Sequence, residues 1–416
     1  MLPTFYQTLL QKYLTQSQLI TLKMLVWLLQ HQKQVRIERL AAALPLPIQQ
    51  NSRRRHLQRF LTLDALSVVL LWFPIVEEIF SRQIKTGAQL IIALDRTQWE
   101  PMPKKWGRLV LGLLVMWRKI WVMKPAPFFL GNILRKENNV LMVSAIYQKR
   151  ALPIFWLLLE KQGSSNLAEQ QKALRPVIRL LKKYKLVAVG DREFHSIELA
   201  SWLQAKNVSF VFRQKQDTTF REKRQKFQPL NSIPISPGAR QFYTNINLTQ
   251  KSGKGRFNLA VYWKRKYRGK QEDEVWYLLT NLPDLETAIH IYRQRFGIEA
   301  MFRDCKTGGY NLEGSKASPD KLMRLILLIA ISLTSAWLHG QRTKLQGQQS
   351  YVCRLQEKQR TRKRHSDFWI GLYGFNWIAA FHECQVWVEE LMGSILNKQA
   401  FYRKGLRAMA LIQQAL

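Results

Sequence analysis

Two apolar segments, each followed directly by an aspartate, decide the expected fold: Leu90-Ile91-Ile92-Ala93-Leu94 before Asp95, and Leu186-Val187-Ala188-Val189-Gly190 before Asp191. Uninterrupted apolar runs of this length are typical of strands that are buried on both faces of a sheet. Such sheets are covered by helices. The two segments therefore predict interior strands of an α/β protein.

Strand and helix patterns alternate around these two segments. Further strand patterns occupy residues 140–147, 154–159, 208–212 and 275–282, and helical patterns occupy 167–183, 197–205 and 285–306. Between them, residues 216–274 are polar, with short alternating stretches at 241–247 and 257–264. The interleaving predicts a mixed sheet flanked by helices, and the alternating stretches predict a β-rich insertion into this domain.

The positions of Asp95 and Asp191 favour a metal site. If the two strands are neighbours, both carboxylates lie at one edge of the sheet. Like charges raise each other's pKa at short distance, and a divalent cation relieves that repulsion. A single aspartate after a strand is more often a turn former than a ligand. Two of them, each after a five-residue apolar run, shift the interpretation towards a ligand pair.

A third carboxylate lies on the helix predicted for residues 285–306. Tyr292, Arg295, Glu299 and Lys306 project within an arc of about 60° on a continuous helix, at about 100° per residue. The simpler interpretation is a solvated face held by an ion pair between Arg295 and Glu299. Because this face follows two strand-end aspartates, we favour a catalytic face.

The charge balance indicates a polyanionic partner. The 416 residues contain 65 Lys and Arg against 28 Asp and Glu, a formal net charge of +37. Lys and Arg release condensed counterions when they neutralise phosphates, which drives binding to nucleic acids. A ribosome-associated or merely basic protein is the alternative that composition leaves open.

Several other classes of protein are disfavoured. A hydrophobic content of 47% argues against a disordered chain, and three cysteines without a CxxC spacing argue for a reducing cytoplasm. The N-terminus lacks the pattern of a signal peptide. The apolar run Leu325–Trp337 has 13 residues, which is short for a bilayer and suitable for a buried helix. We therefore expect no membrane contact.

The N-terminal region carries a possible DNA-binding motif. A short helical pattern at 37–44 ends at Pro45-Leu46-Pro47, and a second one at 48–61 carries Arg53, Arg54 and Arg55. A short helix, a proline turn and an Arg-rich helix fit a helix-turn-helix whose second helix contacts DNA. A solvated basic face on an ordinary helical hairpin is the alternative.

These patterns divide the chain into five segments. They are a helical DNA-binding region (1–80), the first part of the catalytic domain (81–215), a β-rich insertion (216–274), the rest of the catalytic domain (275–340), and a helical basic C-terminal region (341–416) with a basic run at 359–365.

Several spaced motifs, in order, resemble one known family. Tyr292-x-x-Arg295-x-x-x-Glu299, with Lys306 seven residues further on, resembles the YREK signature of DDE transposases in the insertion-sequence-four group. Leu94–Trp99 resembles the first motif of that family, and Gly190–Phe194 resembles the second. Pro153–Trp156 and Gly163–Asn166 also fit the family pattern, and the resemblance covers roughly residues 85–340.

The resemblance implies a fold, a cofactor and a reaction. The fold is ribonuclease-H-like, with Asp95, Asp191 and Glu299 as a triad that holds two Mg²⁺ ions, for which Mn²⁺ can substitute. The reaction is excision of a mobile element and strand transfer into target DNA by metal-assisted phosphoryl transfer. Glu193, two residues after Asp191, is interpreted as a salt-bridge partner and not as a ligand.

The resemblance also implies contacts with double-stranded DNA, both the terminal inverted repeats and the target. Tyr292, Arg295 and Lys306 would hold the phosphates beside the scissile bond. Trp263 and Trp276 are candidates for stacking on a flipped base, although core packing is the commoner role of a single tryptophan. A homodimer on DNA, associated with the nucleoid in a bacterial cytoplasm, is the expected assembly.

The family pattern breaks directly after the first motif. Thirty-six residues, 101–136, separate the strand of Asp95 from the next strand, and the pattern reads on without interruption if Glu100 is joined to Asn138. An added helix and foreign sequence in a decayed element are both possible origins of a loop this long. An inactive DNA-binding derivative that occupies transposon ends therefore stays open as a second function. A general nuclease of the same fold is a weaker third one, because hydrolysis alone gives no reason for the basic helical ends.

Overall fold

A ten-stranded mixed sheet carries the two apolar segments at its centre. In this computed structural model the strand order is β3-β2-β1-β4-β5-β10-β9-β8-β6-β7. The strands are β1 (Gln89–Trp99), β2 (Asn138–Tyr147), β3 (Arg150–Leu159), β4 (Lys185–Gly190), β5 (Ser209–Arg213), β6 (Thr219–Arg221), β7 (Gln228–Pro229), β8 (Arg240–Leu248), β9 (Arg256–Tyr262) and β10 (Trp276–Thr280).

The structure describes residues 2–99, 138–222, 226–249, 256–265, 274–355 and 365–415. The atypical segment 101–136 and nearly all of the basic run at 359–365 lie outside these residues. Clustering of contacts divides the chain into two compact units, one formed by Met1–Val76 with Arg303–Leu416 and the other by Glu77–Phe302. The finer division into five segments stays a prediction.

The strand directions confirm the predicted fold class. β1, β2 and β3 form an antiparallel meander, whereas β1, β4 and β5 are parallel neighbours. Three antiparallel strands followed by two parallel ones, with helices α6 (Leu167–Leu180) and α7 (Ile197–Ala205) as the connections, form a ribonuclease-H-like sheet. All five residues of each apolar run, Leu90–Leu94 in β1 and Leu186–Gly190 in β4, are buried, as their sequences predict.

The β-rich insertion extends this same sheet. β9 pairs with β10 in the antiparallel direction, and β10 pairs with β5, so the strands of the insertion continue the hydrogen-bonded ladder. β8 includes the alternating stretch 241–247, and β9 includes 257–262 of the predicted stretch 257–264. The two strands pair in the antiparallel direction with an irregularity between Tyr243 and Ile246. The predicted strand at 275–282 is confirmed as β10.

The helix that carries Glu299 is interrupted. The prediction of one continuous helix over 285–306 is wrong, because α8 (Leu285–Gln294) and α9 (Phe296–Cys305) are separated at Arg295. The amides of Arg295 and Ile298 bond to carbonyl oxygens three residues back, which tightens the turn locally. Gly297 lets this turn approach the β2–β3 hairpin, since a Cβ there would lie 3.1 Å from the Lys149 carbonyl oxygen.

The unit formed by the two ends of the chain is helical. Its first helices are α1 (Thr4–Leu10), α2 (Gln16–Gln32), α3 (Ile37–Ala43) and α4 (Gln50–Phe60), and a π-helical turn at Val68–Trp72 precedes α5 (Phe73–Gln83), which runs on into the sheet unit. Its later helices are α10 (Pro319–Leu345), α11 (Gln349–Val352), α12 (Asp367–Glu383), α13 (Gln385–Ser394) and α14 (Gln399–Ala415).

Helix α10 is the core of this unit. It is the one helix in the described part of the chain that is long and apolar enough to span a membrane, yet 83% of its apolar window is buried inside the protein. Two of its buried hydroxyl groups are paired in the interior: the Tyr6 hydroxyl donates to Thr334 Oγ1, and the Ser332 hydroxyl donates to the Tyr310 hydroxyl. α10 therefore has the environment of a buried core helix.

Candidate active site

Asp95 and Asp191 lie at the same edge of the sheet. β1 and β4 run parallel with Ala93 opposite Val189, and Asp95 and Asp191 each lie two residues further along the chain. Asp191 directly follows β4 as predicted, but the expectation that Asp95 ends its strand is wrong, because β1 continues to Trp99 in its pairing with β2. Beyond β4 the chain turns at once, because Asp191 Oδ1 accepts a hydrogen bond from the Glu193 amide at 2.9 Å. Gly190 is needed at this turn, since a Cβ there would lie 2.8 Å from the Phe194 side chain.

Arg295 joins the first and third carboxylates. Its Nη1 atom lies 3.1 Å from Asp95 Oδ2, and its Nη2 atom lies 2.6 Å from Glu299 Oε1. The side chains of Arg295 and Asp95 are 11% and 15% exposed, whereas that of Glu299 is 49% exposed. The helical ion pair between Arg295 and Glu299 is therefore present, and the same guanidinium also reaches the carboxylate of Asp95 on β1.

The ionised form of Asp95 is destabilised by its surroundings. Burial raises the pKa of Asp95 to about 6; Arg295 opposes this rise, and the carboxylates of Asp191 and Glu299 add to it. A carboxylate in this position gains stability from any further cation placed between it and its acidic neighbours. The three predicted residues thus act on one another electrostatically.

The donor set suits a hard divalent cation, since all three groups are carboxylates. Among the residues that the structure describes, however, no three His, Cys, Asp or Glu side chains converge closely enough to hold one metal ion. Arg295 occupies the position of a cation between Asp95 and Glu299. The three carboxylates are therefore suitable ligands for a divalent metal, but in this structure the Arg295 guanidinium lies between two of them.

Tyr292 lies deeper than the other residues of the signature. It is 2% exposed, and its ring meets that of Trp276 edge to face, with centroids 5.0 Å apart. Trp276 is 8% exposed and also contacts Tyr262. The packing role that is usual for a buried tryptophan is thus observed for Trp276. Contacts of Tyr292 and Trp276 with DNA stay predictions.

Lys306 lies directly after α9, in the helical unit. Its Nζ atom is 2.7 Å from Glu313 Oε1, and its side chain is 19% exposed. Three further candidates lie in the same unit. The sequence predicts that Arg53, Arg54 and Arg55 belong to a helix after a proline turn, and the structure confirms this helix as α4. Contacts of these four residues with DNA stay predictions.

Trp263 lines a cavity in the sheet unit. The cavity has a volume of about 260 Å³ and is bordered by aromatic, amide and charged side chains, among them Trp263, Tyr277, Gln214, Arg192 and Arg213. Gln214 is 2% exposed, and its side-chain oxygen has no hydrogen-bond partner among the described residues. Stacking of Trp263 on a base stays a prediction, and the cavity offers it space.

A hydrogen-bonded network behind the carboxylates was only partly foreseen. The prediction that Glu193 is a salt-bridge partner is confirmed, since its Oε2 atom lies 2.8 Å from Arg96 Nε. Glu193 Oε1 also accepts hydrogen bonds from the amide and the hydroxyl of Ser165. Arg96 reaches Asn139, whose side-chain amide donates to the carbonyl oxygens of Lys161 and Gly163. The sequence motif Gly163–Asn166 marks the loop that contains Ser165, but it does not reveal that this loop binds Glu193.

This network leads to a prediction for Glu193→Gln. The substituted amide would retain part of the hydrogen bonding, but the partly buried charge of Arg96 would lose its partner. We expect the free energy of unfolding to fall by about 1.5–3 kcal/mol, the range for a hydrogen bond to a charged group, while metal-dependent cleavage of DNA is retained. Urea unfolding and a cleavage assay on the same preparation check both parts. Loss of cleavage at full stability would instead make Glu193 part of the reacting site.

A second prediction concerns Asp95→Asn in the absence of metal. The folded-state pKa of Asp95 is raised, so the wild-type protein loses stability as the pH rises from about 4 to about 6. We therefore expect the substitution to stabilise the protein at pH 8 by about 2–3 kcal/mol and to abolish cleavage. Thermal unfolding in EDTA at pH 8 and at pH 4 measures this difference, which should vanish at pH 4. A destabilised variant at pH 8 would refute it.

The order and directions of β1 to β5 are those of the ribonuclease-H-like fold. Residues 136–334 match the family model of the Transposase DDE domain. This span is slightly less than half of the chain, includes Asp191, Arg295 and Glu299, and begins after Asp95. That part of the chain is therefore similar to the DDE domain of transposases.

A solved structure that resembles the chain is the cryo-EM structure of the piggyBac transposase synaptic complex with hairpin DNA. The identity is 14% and the TM-score is 0.41, over 85% of this chain and 69% of the other. No curated protein matches the sequence.

Proposed function

We propose that the protein is a DNA transposase of the insertion-sequence-four group, which excises a mobile element and joins it to target DNA. The observation that carries this proposal is the set of three carboxylates beside Arg295. Asp95 lies within β1, Asp191 directly follows the parallel neighbour β4, and Glu299 lies one turn after Arg295 on α9. The match of residues 136–334 to the Transposase DDE domain supports it independently.

Asp95, Asp191 and Glu299 would hold divalent metal, with Mg²⁺ as the natural ion. When bound, the metal supplies Lewis-acid activation of water or of a 3′-hydroxyl and stabilises the leaving oxygen. The positions of the two aspartates are fixed locally, because Asp95 is paired with Met142 inside the sheet and Asp191 Oδ1 accepts a hydrogen bond from the Glu193 amide. Glu299 is half exposed on α9, which lets this carboxylate reorient towards an ion.

Arg295 would exchange its partners during the reaction. A guanidinium pairs with phosphate in the same forked geometry as with carboxylate. When the DNA backbone arrives, Arg295 would turn to the phosphate beside the scissile bond and release Asp95 and Glu299 for the metal. Tyr292, whose ring lies 5.9 Å from the guanidinium carbon of Arg295, would limit the directions in which Arg295 moves.

Other contacts would hold the DNA near this edge. The cavity beside Trp263 would receive an extrahelical base, which stacks on the indole and meets the unpartnered oxygen of Gln214. Lys306 would neutralise a neighbouring phosphate. The net charge of +37 favours this polyanionic partner, and the terminal repeats and the target DNA would be held by a homodimer in the bacterial cytoplasm, at the nucleoid.

A second candidate function is an inactive derivative that binds transposon ends without cutting them. It is favoured by the 36 residues at 101–136, which begin two residues after the end of the strand of Asp95. The match to the transposase domain starts at residue 136, where this segment ends.

Cleavage of a plasmid that carries the DNA flanking the gene tests both functions. Three proteins are compared in Mg²⁺: the full-length chain, Glu299→Ala, and a version without residues 101–136. We expect cleavage at the element ends by the full-length chain, and none by Glu299→Ala. Cleavage by the shortened version alone would identify an inactivated copy, binding of the ends without any cleavage would favour the second candidate, and degradation of unrelated duplexes would indicate a general nuclease.

A further inference from the structure

We propose that one face of α4 reads base pairs in the major groove of DNA through Asn51, Arg54, Arg55 and Gln58. These residues occupy positions i, i+3, i+4 and i+7, a spacing that places side chains on one side of a helix. Asn51 and Arg55 are exposed, and Arg54 and Gln58 are partly exposed. The inference rests on the proposed function only in taking DNA as the partner.

The opposite side of α4 is packed, which gives the reading face a fixed direction. Leu57 and Phe60 are 1% and 4% exposed, and His56 Nε2 lies 3.0 Å from Thr21 Oγ1 on α2. Arg53 falls on this packed side, since it lies four residues before Leu57 and its Nε atom is buried. Of the three predicted arginines, Arg54 and Arg55 therefore face outward, and Arg53 faces inward.

The side chains of the reading face suit bases better than phosphates alone. Arginine pairs with the O6 and N7 atoms of guanine, and asparagine and glutamine pair with the N6 and N7 atoms of adenine, each through two hydrogen bonds. Neutral amides add nothing to a general attraction for phosphates, yet they make up half of this face. The fork of Arg54 is held loosely by Glu38 on α3, at 3.9 Å.

The surroundings of α4 supply contacts of the phosphate kind. From Gln30 to Leu63 the chain has seven Lys and Arg and one acidic residue. Arg36 and Arg39, at the start of α3, are exposed, and so is Arg59 in the last turn of α4. In a helix-turn-helix the first helix crosses the DNA backbone while the second enters the groove. The arginines at the start of α3 are therefore suited to contact the phosphates, and the amides of α4 are suited to contact the bases.

The reading face is short enough to bind one half-site. Residues 51–58 rise along the helix by about 10 Å, which corresponds to roughly three or four base pairs. The expected ligand is therefore a duplex with G·C and A·T pairs inside such a window, with the purine edges turned towards α4.

Selection from a pool of random duplexes by the full-length protein tests this inference. The variants are Asn51→Ala and Arg55→Ala, two exposed positions at which alanine favours the helix. We expect the wild-type protein to enrich a short motif, and each variant to lose about 5- to 100-fold discrimination at one base pair of it. Arg39→Ala is the control, which should weaken binding to all sequences alike and leave the motif unchanged.

An unchanged motif in both variants would overturn the assignment. So would a wild-type protein that binds DNA but enriches no motif; in that case the plasmid assay would still judge the proposed chemistry. A protein that binds no DNA at any salt concentration would remove both the reading face and the proposed transposase function.

Discussion

Glu299→Gln is expected to lower the rate of metal-dependent DNA cleavage on the order of 10³-fold or more. Glutamine has the size of glutamate and still accepts a hydrogen bond from Arg295, but it no longer carries the charge that binds a divalent ion. Arg295 keeps its contact with Asp95, so the site stays assembled. Single-turnover cleavage of end-bearing DNA gives the rate, and fluorescence anisotropy gives the affinity, which should change by less than about threefold.

Glu286→Gln is the matched control. Glu286 lies on the preceding helix α8, is 64% exposed and pairs with Arg240. Its substitution removes the same negative charge without changing any of the three candidate metal ligands. We expect wild-type cleavage from this variant. Equal losses in both variants would indicate a general effect of charge, and full activity of Glu299→Gln would remove Glu299 from the reacting site.

Gly371→Val is expected to destabilise the helical unit by about 3 kcal/mol or more. Helices α10 and α12 cross with their backbones in contact at two glycines. A Cβ at Gly371 would overlap the carbonyl oxygen of Ala336, and a Cβ at Gly340 would overlap that of Asp367. Backbone atoms cannot rotate away as side chains do, so the helices would have to separate along a buried interface. Urea unfolding followed by far-UV circular dichroism measures the loss.

Gly405→Ala is the control for this substitution. Gly405 lies inside helix α14, and a Cβ there would have no atom within 4 Å. Alanine at an open helical position stabilises by about 0.5–1 kcal/mol through helix propensity. If Gly371→Val unfolds at the wild-type urea concentration, the close crossing of α10 and α12 does not exist in solution.

Much of the fold follows from local patterns. The apolar runs before Asp95 and Asp191 predicted buried strands, and parallel pairing of β1 with β4 brings both aspartates to one edge. Whether the strands of Asp95 and Asp191 are neighbours depends on the strand order of the sheet, which no local sequence pattern reveals. It became an expectation only with the resemblance to a ribonuclease-H-like family, and the strand order confirms it.

The third element of the site was harder to predict. A continuous helix would place Tyr292 and Glu299 on one face, but the interruption at Arg295 leaves Tyr292 buried and Glu299 half exposed. The ion pair between Arg295 and Glu299 follows from their spacing of four residues. The contact of Arg295 with Asp95, 200 residues away in sequence, follows only from the packing of the helix against the sheet edge.

The hydrogen-bonded network around Glu193 was the part of the site that the sequence predicted least. Glu193 was identified as a salt-bridge partner, but its bonds to Arg96 and Ser165 join three separate segments, and nothing in their spacing reveals this. The inward direction of Arg53 was likewise hidden. Three consecutive arginines look equivalent in the sequence, and only the positions of Leu57 and Phe60 distinguish them.

Strand transfer is the step that distinguishes a transposase from a nuclease or a DNA-binding protein. A radiolabelled duplex that ends in the 3′-hydroxyl of the element is incubated with the full-length protein, a supercoiled plasmid and Mg²⁺, and the covalently joined product is measured. We expect joined product from the wild-type protein and none from Asp191→Asn or from a reaction in EDTA. Binding of the duplex without joining, or hydrolysis of the plasmid without joining, would contradict it.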